Sequence, residues 1–283
     1  MLQQLVNGVS SSALLFVVSI GIVIIMGHMK VVNLAHGECI MLGAYISYYM
    51  GTVLKVPFVL TLPIAFALCG LFGVAIERIV IRKLYGKEGE TLLVTYGISL
   101  FLQQAVNLLC GSDLKYVKLP MEGIVRVGGI VIPHYNIFTI LVAVIVGLMT
   151  LALLYRTRFG MRMRATTGNR QITECLGINT ALVDTVTFGY GVALAGLAGA
   201  VLAPIKGVSP FMGIQYLTDA FMNVVVGGLS SLFGTTLSSA LIGESRNILG
   251  GYINEVNASM IVFLIVIVVI RIRPEGLFSR QRR

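Results

Sequence analysis

The chain has 283 residues, 57% of them hydrophobic and only 12% charged, with a net charge of +9 and a mean hydropathy of +0.91. A soluble domain carries about a quarter charged residues, so this surplus of apolar side chain has no soluble interior to fill. The composition excludes a soluble protein and describes an all-α polytopic membrane protein. No Pro- or Ser-rich linker divides it, so 1–283 reads as one transmembrane domain.

A helix needs about 20 mostly apolar residues to cross the hydrocarbon core. In chain order, such stretches lie near 8–28, 39–54, 57–77, 91–110, 136–155 and 182–204. A Gly-interrupted region at 217–250 and a last span near 256–272 follow, about eight transmembrane helices in all. The first has no Lys or Arg ahead of it and no small-residue cleavage site, so it reads as a retained span and not a signal peptide. The second is short. The region 217–250 breaks at Gly227-Gly228 and again at Gly234, so half-helices are expected there.

Orientation follows from the basic loops, because short loops rich in Lys and Arg stay cytoplasmic. Arg78, Arg82, Lys83 and Lys87 follow the third span, Arg156, Arg158, Arg162, Arg164 and Arg170 the fifth, and Arg271, Arg273, Arg280, Arg282 and Arg283 the last. Alternation puts all three groups on one face only with the N-terminus outside and the C-terminus cytoplasmic. Residues 217–250 must then enter and return. The loop 111–134 falls outside, and its alternating apolar residues around Gly128-Gly129 predict a small extracytoplasmic β-hairpin.

Four features carry functional weight. The cytoplasmic loop 156–180 is basic at first. Its stretch Ala165–Leu176, closed by Gly177, predicts one short helix parallel to the membrane, either resting on anionic membrane lipid or docking a cytoplasmic partner. Asn33-Leu-Ala-His36-Gly37-Glu38 places polar groups between two apolar stretches. Asn33 would cap the following helix while His36 and Glu38 face a water-filled cavity, unless the segment is a solvated turn after Lys30. Asp219 heads the half-segment Tyr216–Asn223, as a simple helix-dipole partner or beside a translocation path. Gly191, Ala195 and Gly199 recur every four residues, the spacing of close helix packing, and Asp184 reads as interfacial.

No GxxxxGK[ST], GxSxG or HExxH motif occurs, so no catalytic residue is assigned. Cys39, Cys69, Cys110 and Cys175 are too scattered for a zinc site, and His28, His36 and His134 form no matching metal cluster. The basic residues are explained by topology, which leaves no case for nucleic acid.

Val31-Val-Asn-Leu-Ala-His-Gly-Glu38 with Met41–Tyr45, Gly160–Arg170 with Cys175–Asn179, Asp219-Ala-Phe-Met with Val224–Gly228, and Arg273–Phe278 together resemble a known family. They look like the membrane permease subunits of bacterial ABC importers for branched-chain amino acids and urea. The resemblance implies an inner-membrane permease that pairs with a second one, a paralogue or a second copy, above two ATPase subunits. An extracytoplasmic binding protein would deliver the substrate. ATP would be used by the ATPases, with no cofactor in this chain. By the same implication Arg164, Ala165, Asn169, Arg170, Leu176, Gly177 and Ile178 form the contact that couples to the ATPase. Asn33, His36, Gly37, Glu38, Asp219 and Asn223 are the translocation-pathway candidates. Arg164-Ala-Thr-Thr, Asn169-Arg170 and Tyr216–Phe221 resemble the urea type, whereas Ile205–Gln215, with Lys206 and Phe211, departs from it. The competing expectation is a self-sufficient secondary transporter or channel, which polar residues in broken helices also suit.

Overall fold

The computed structural model describes residues 2–127, 130–273 and 276–277. The first span extends further than its apolar core requires, as α1 (Leu2–Met29). The short second span is α2 (His36–Tyr48), about 20 Å long at 1.5 Å per residue, prolonged by a π-helical turn over Tyr49–Val53. The structure continues with α3 (Phe58–Ile79), α4 (Glu88–Cys110), β1 (Ile124–Val127), β2 (Ile130–Pro133) and α5 (His134–Arg156). It ends with α6 (Arg158–Gly168), α7 (Arg170–Cys175), α8 (Thr180–Lys206), α9 (Met212–Gly227), α10 (Leu232–Gly250) and α11 (Glu255–Ile272). Six of these helices are long and apolar enough to cross a membrane, and the α9–α10 pair, bent by 117°, passes the same test only when taken together.

The expected hairpin is present, with β1 antiparallel to β2 and Val125 opposite Ile132. Its Gly128-Gly129 turn, Pro274, Glu275 and the stretch from Phe278 through Arg280, Arg282 and Arg283 lie outside the described residues.

Two expectations are corrected. The loop helix is not a single rod over 165–176. Thr157 accepts from Gly160 N at 3.0 Å and starts α6 early, and extended Asn169 accepts from Ile172 N at 3.1 Å to start α7. In the 217–250 region only Gly227-Gly228 breaks the chain. Ser231 accepts from Gly234 N at 2.9 Å, which places Gly234 in the first turn of α10, facing the backbone of Gly227.

The interior is built on α1 and α8. α8 packs against α1, α2 and α3, and α1 against α10. Small residues let α8 sit backbone-to-backbone on α2. Gly199 faces the carbonyl of Ile40, and Gly196 faces Gly43. α4 and α11 are the outermost, each only 17% buried against 83% for α8.

The loops sort into two faces. On one, Lys115 pairs with Val208, and Gln3 exchanges two 2.8 Å hydrogen bonds with the backbone of Val131. On the other, the end of α1 meets α6, Arg82 meets the start of α8, and Leu277 N donates to Val226 O at 2.8 Å beside the α9–α10 turn.

Candidate functional site

The Asn33–Glu38 segment is not a solvated turn. The Asn33 side chain accepts from Ala35 N at 3.1 Å, forming a tight turn before α2, so it does not cap the helix directly. Leu34 N donates to Thr95 of α4. Glu38 is fully buried and accepts from Gln103 Nε2 at 2.7 Å and from Ser99 Oγ at 3.0 Å, both on α4. Gly37 packs directly on the backbone of Gly213 in α9. His36 is wholly buried beside Gly21 of α1, and among the described residues neither ring nitrogen has a partner. His36 and Glu38 therefore sit in a seam between helices, away from the cavity described next.

That cavity, about 770 Å³, opens between α1, α9, α10 and the start of α11. Asp219 is on its wall in a two-pronged ion pair with Arg246 of α10, at 2.7 and 3.0 Å. Asn223, one helical turn further, is fully buried and ties three helices. It donates to Ser19 of α1 at 2.9 Å and accepts from Ser238 of α10 at 2.6 Å. The structure thus divides the pathway candidates into three separate groups, with only Asp219 on the cavity. Sequence reasoning missed Arg246, although an arginine inside the Gly-interrupted 217–250 segment was itself a signal.

The coupling candidates also divide. Arg164 turns back, donating to Leu154 O at 2.7 Å with its guanidinium 4.9 Å over Tyr155. Ala165 lies exposed on α6, and Ile178 packs onto the core. Gly177 has φ +78°, the left-handed conformation that ends α7. Leu176 is 74% exposed, and Ile172, four residues earlier on the same side and absent from the expectations, is 59% exposed. These two form an apolar tip on the arginine-rich face.

Arg170, its side chain 44% exposed, reaches a buried acid. It meets Asp184 Oδ2 at 2.8 Å and Glu174 Oε1 at 3.2 Å, donates to Thr180 at 3.2 Å, and lies 5.5 Å over the Tyr85 ring. Asp184, only 2% exposed on α8, also accepts from His28 Nε2 at 3.0 Å, while His28 Nδ1 is 2.7 Å from Thr167 of α6. Beside it, buried Glu77 of α3 is held by Arg82, by Tyr85 at 2.6 Å and by Thr185 of α8 at 2.6 Å. The network sets its own electrostatics. Burial works against the Arg170 charge, but Asp184 and Glu174 together outweigh it, for a net rise. Glu174 is held below the ordinary carboxylate value chiefly by the Thr180 hydroxyl. Burial, then the bond to Glu77, pushes the Tyr85 hydroxyl up.

A family model described as "Branched-chain amino acid transport system / permease component" matches residues 4–271. The high-affinity branched-chain amino acid transport system permease protein BraD of Pseudomonas aeruginosa is 31% identical, over 99% of this chain and 96% of its own length. The corresponding permease protein LivH of Escherichia coli K12 is 30% identical over the same shares. Among solved structures, PsaBC from Streptococcus pneumoniae in complex with Fab superposes with a TM-score of 0.52 at 13% identity. It covers 94% of this chain and 89% of that one, a likeness of fold.

Proposed function

The chain belongs to the family of branched-chain amino acid transport permease components, and on that premise we propose that it is the transmembrane permease subunit of an ABC importer. With a second permease, a paralogue or another copy, it forms the pathway for a branched-chain amino acid, driven by partner ATPases and fed by an extracytoplasmic binding protein. The near-full-length family match carries this reading. The exposed Ile172–Leu176 tip supports the ATPase contact, since exposed apolar side chains beside polar surface suit protein docking. The arginine-rich face is then cytoplasmic, in the inner membrane, with the N-terminus outside.

The cavity supports a choice of cargo. Lys206, Asp219, Arg246 and Glu255 line it, two bases and two acids, beside the aliphatic wall of Leu14 and Val18. Asp219 and Arg246 neutralise one another, and Lys206 and Glu255 beside the apolar surface suit a zwitterion with an aliphatic side chain better than urea. The urea-type pattern at Arg164–Arg170 and Tyr216–Phe221 keeps urea as the second candidate. The test is uptake into proteoliposomes holding the whole complex. Labelled leucine should accumulate only with ATP, and labelled urea should not. ATP-independent uptake by the chain alone would instead make it a secondary transporter or channel.

A further inference from the structure

Two acids are buried at the face that carries the α6–α7 loop, and each is held by an arginine from a different loop. Arg82 holds Glu77, and Arg170 holds Asp184. Asp184 is the more connected of the two. It stands on α8, the most buried of the long membrane-length helices, one turn past the Asn179 cap, and accepts from His28 in the last turn of α1. Through Arg170 it reaches α7, and through His28 and Thr167 it reaches α6. A single carboxylate therefore joins both halves of the exposed loop to both central helices. Ile172 and Leu176, the tip residues, follow Arg170 within α7 and at its end.

A load applied at the tip has two kinds of route inward. Arg164 turns back to α5, the helix α6 leaves, while Phe159, Met163 and Ile178 make apolar contact with the core. Apolar contacts slide, whereas the Arg170–Asp184 pair, its acid 2% and its arginine 44% exposed, is directional, and parting it leaves the acid buried without that cation. Neighbouring Thr185 is hydrogen-bonded to both Glu77 and Arg82, which ties α3 to α8 beside Asp184.

We propose that Asp184 is the positioning residue that transmits displacement of the α6–α7 loop to α8 and α1, a role that rests on the permease reading above. Arg170 is thus the inner arm of the linkage, and Leu176 and Ile172 its outer contact.

The test uses the whole complex, purified with its co-expressed ATPase and reconstituted in proteoliposomes. Three quantities are read for each variant: ATPase retained, ATP hydrolysed, and substrate taken up per ATP. Asp184→Asn keeps the side-chain shape and leaves Arg170 its bonds to Glu174 and Thr180. It should retain the ATPase and its hydrolysis while uptake per ATP falls roughly tenfold. Asp184→Glu should recover most of that loss. His28→Leu cuts the α1 branch together with the Thr167 route to α6, leaves the Arg170 tie in place, and should lower the ratio about threefold. A ratio within about twofold of the unmodified complex in both Asp184→Asn and His28→Leu overturns the proposal. So does loss of folding in Asp184→Asn with an unchanged ratio in His28→Leu, because the acid is then a structural support. Failure of the unmodified chain to retain an ATPase defeats the permease reading instead, and is seen before any variant is made.

Discussion

At the scale of single residues, the contact between α2 and α8 depends on side chains that are missing. A methyl group at Gly199 would meet the Ile40 carbonyl, and one at Gly43 would meet the backbone of Gly196. Neither neighbour can swing aside as a side chain would. Gly199→Ala is expected to cost about 1–3 kcal/mol in a denaturation experiment on the detergent-solubilised chain. Gly97, on the exposed side of α4 with nothing near it, is the contrast. Gly97→Ala should be stabilising by about 0.5–1 kcal/mol through helix propensity alone, and an equal loss at both positions would refute the packing account. The four-residue spacing of Gly191, Ala195 and Gly199 made close packing legible in the sequence, but not that α2 is what packs there. Asp184 shows the same limit. It was readable as an acid near an interface, yet its partner His28 lies 156 residues earlier, and no local pattern reports a pairing at that distance.

At the scale of elements, the interrupted segments were the most legible, because Gly227-Gly228 and the short second apolar run are local facts. The loop helix was less so. Ala165–Leu176 contains no strong breaker but Gly168, and a propensity reading runs straight through it. What splits it is a side chain, Asn169, whose oxygen competes with the helix ladder and begins α7 afresh. Asn169→Ala removes that cap and should loosen α7 by about 1 kcal/mol, seen as faster amide exchange at Ile172 and Thr173 with α8 unaffected. The split also aims Ile172 and Leu176 outward together. Placing a glutamate at either site should reduce the ATPase that co-purifies with the chain, whereas Arg164→Gln should not, since Arg164 is turned toward Leu154 and Tyr155. Undiminished co-purification with Leu176→Glu would remove the tip from the docking surface.

At the scale of the whole molecule, the segregation of loops into two faces makes a prediction about sidedness. Cys175 is exposed beside the tip, while Cys39 and Cys69 are buried. A membrane-impermeant thiol reagent should therefore label Cys175 in inside-out vesicles and not in right-side-out ones, with Lys118→Cys behaving in the opposite way. Reversal of that pattern would invert the proposed topology. The positive-inside pattern carried the parity in the sequence, but which helices lie at the centre did not show, because a span looks alike to hydropathy whether lipid or protein surrounds it. That the first helix is central has a consequence for how the protein is made. Ser19 finds Asn223 only 204 residues later, so at ribosomal speeds of 5–20 residues per second α1 waits about 10–40 s for its partner. His28 likewise waits for Asp184. For that interval the nascent chain holds its central helix without the helices that bury it, so the newborn protein is most vulnerable to quality-control proteases before α8 and α9 emerge, and slowing translation across the middle of the message should lower its yield.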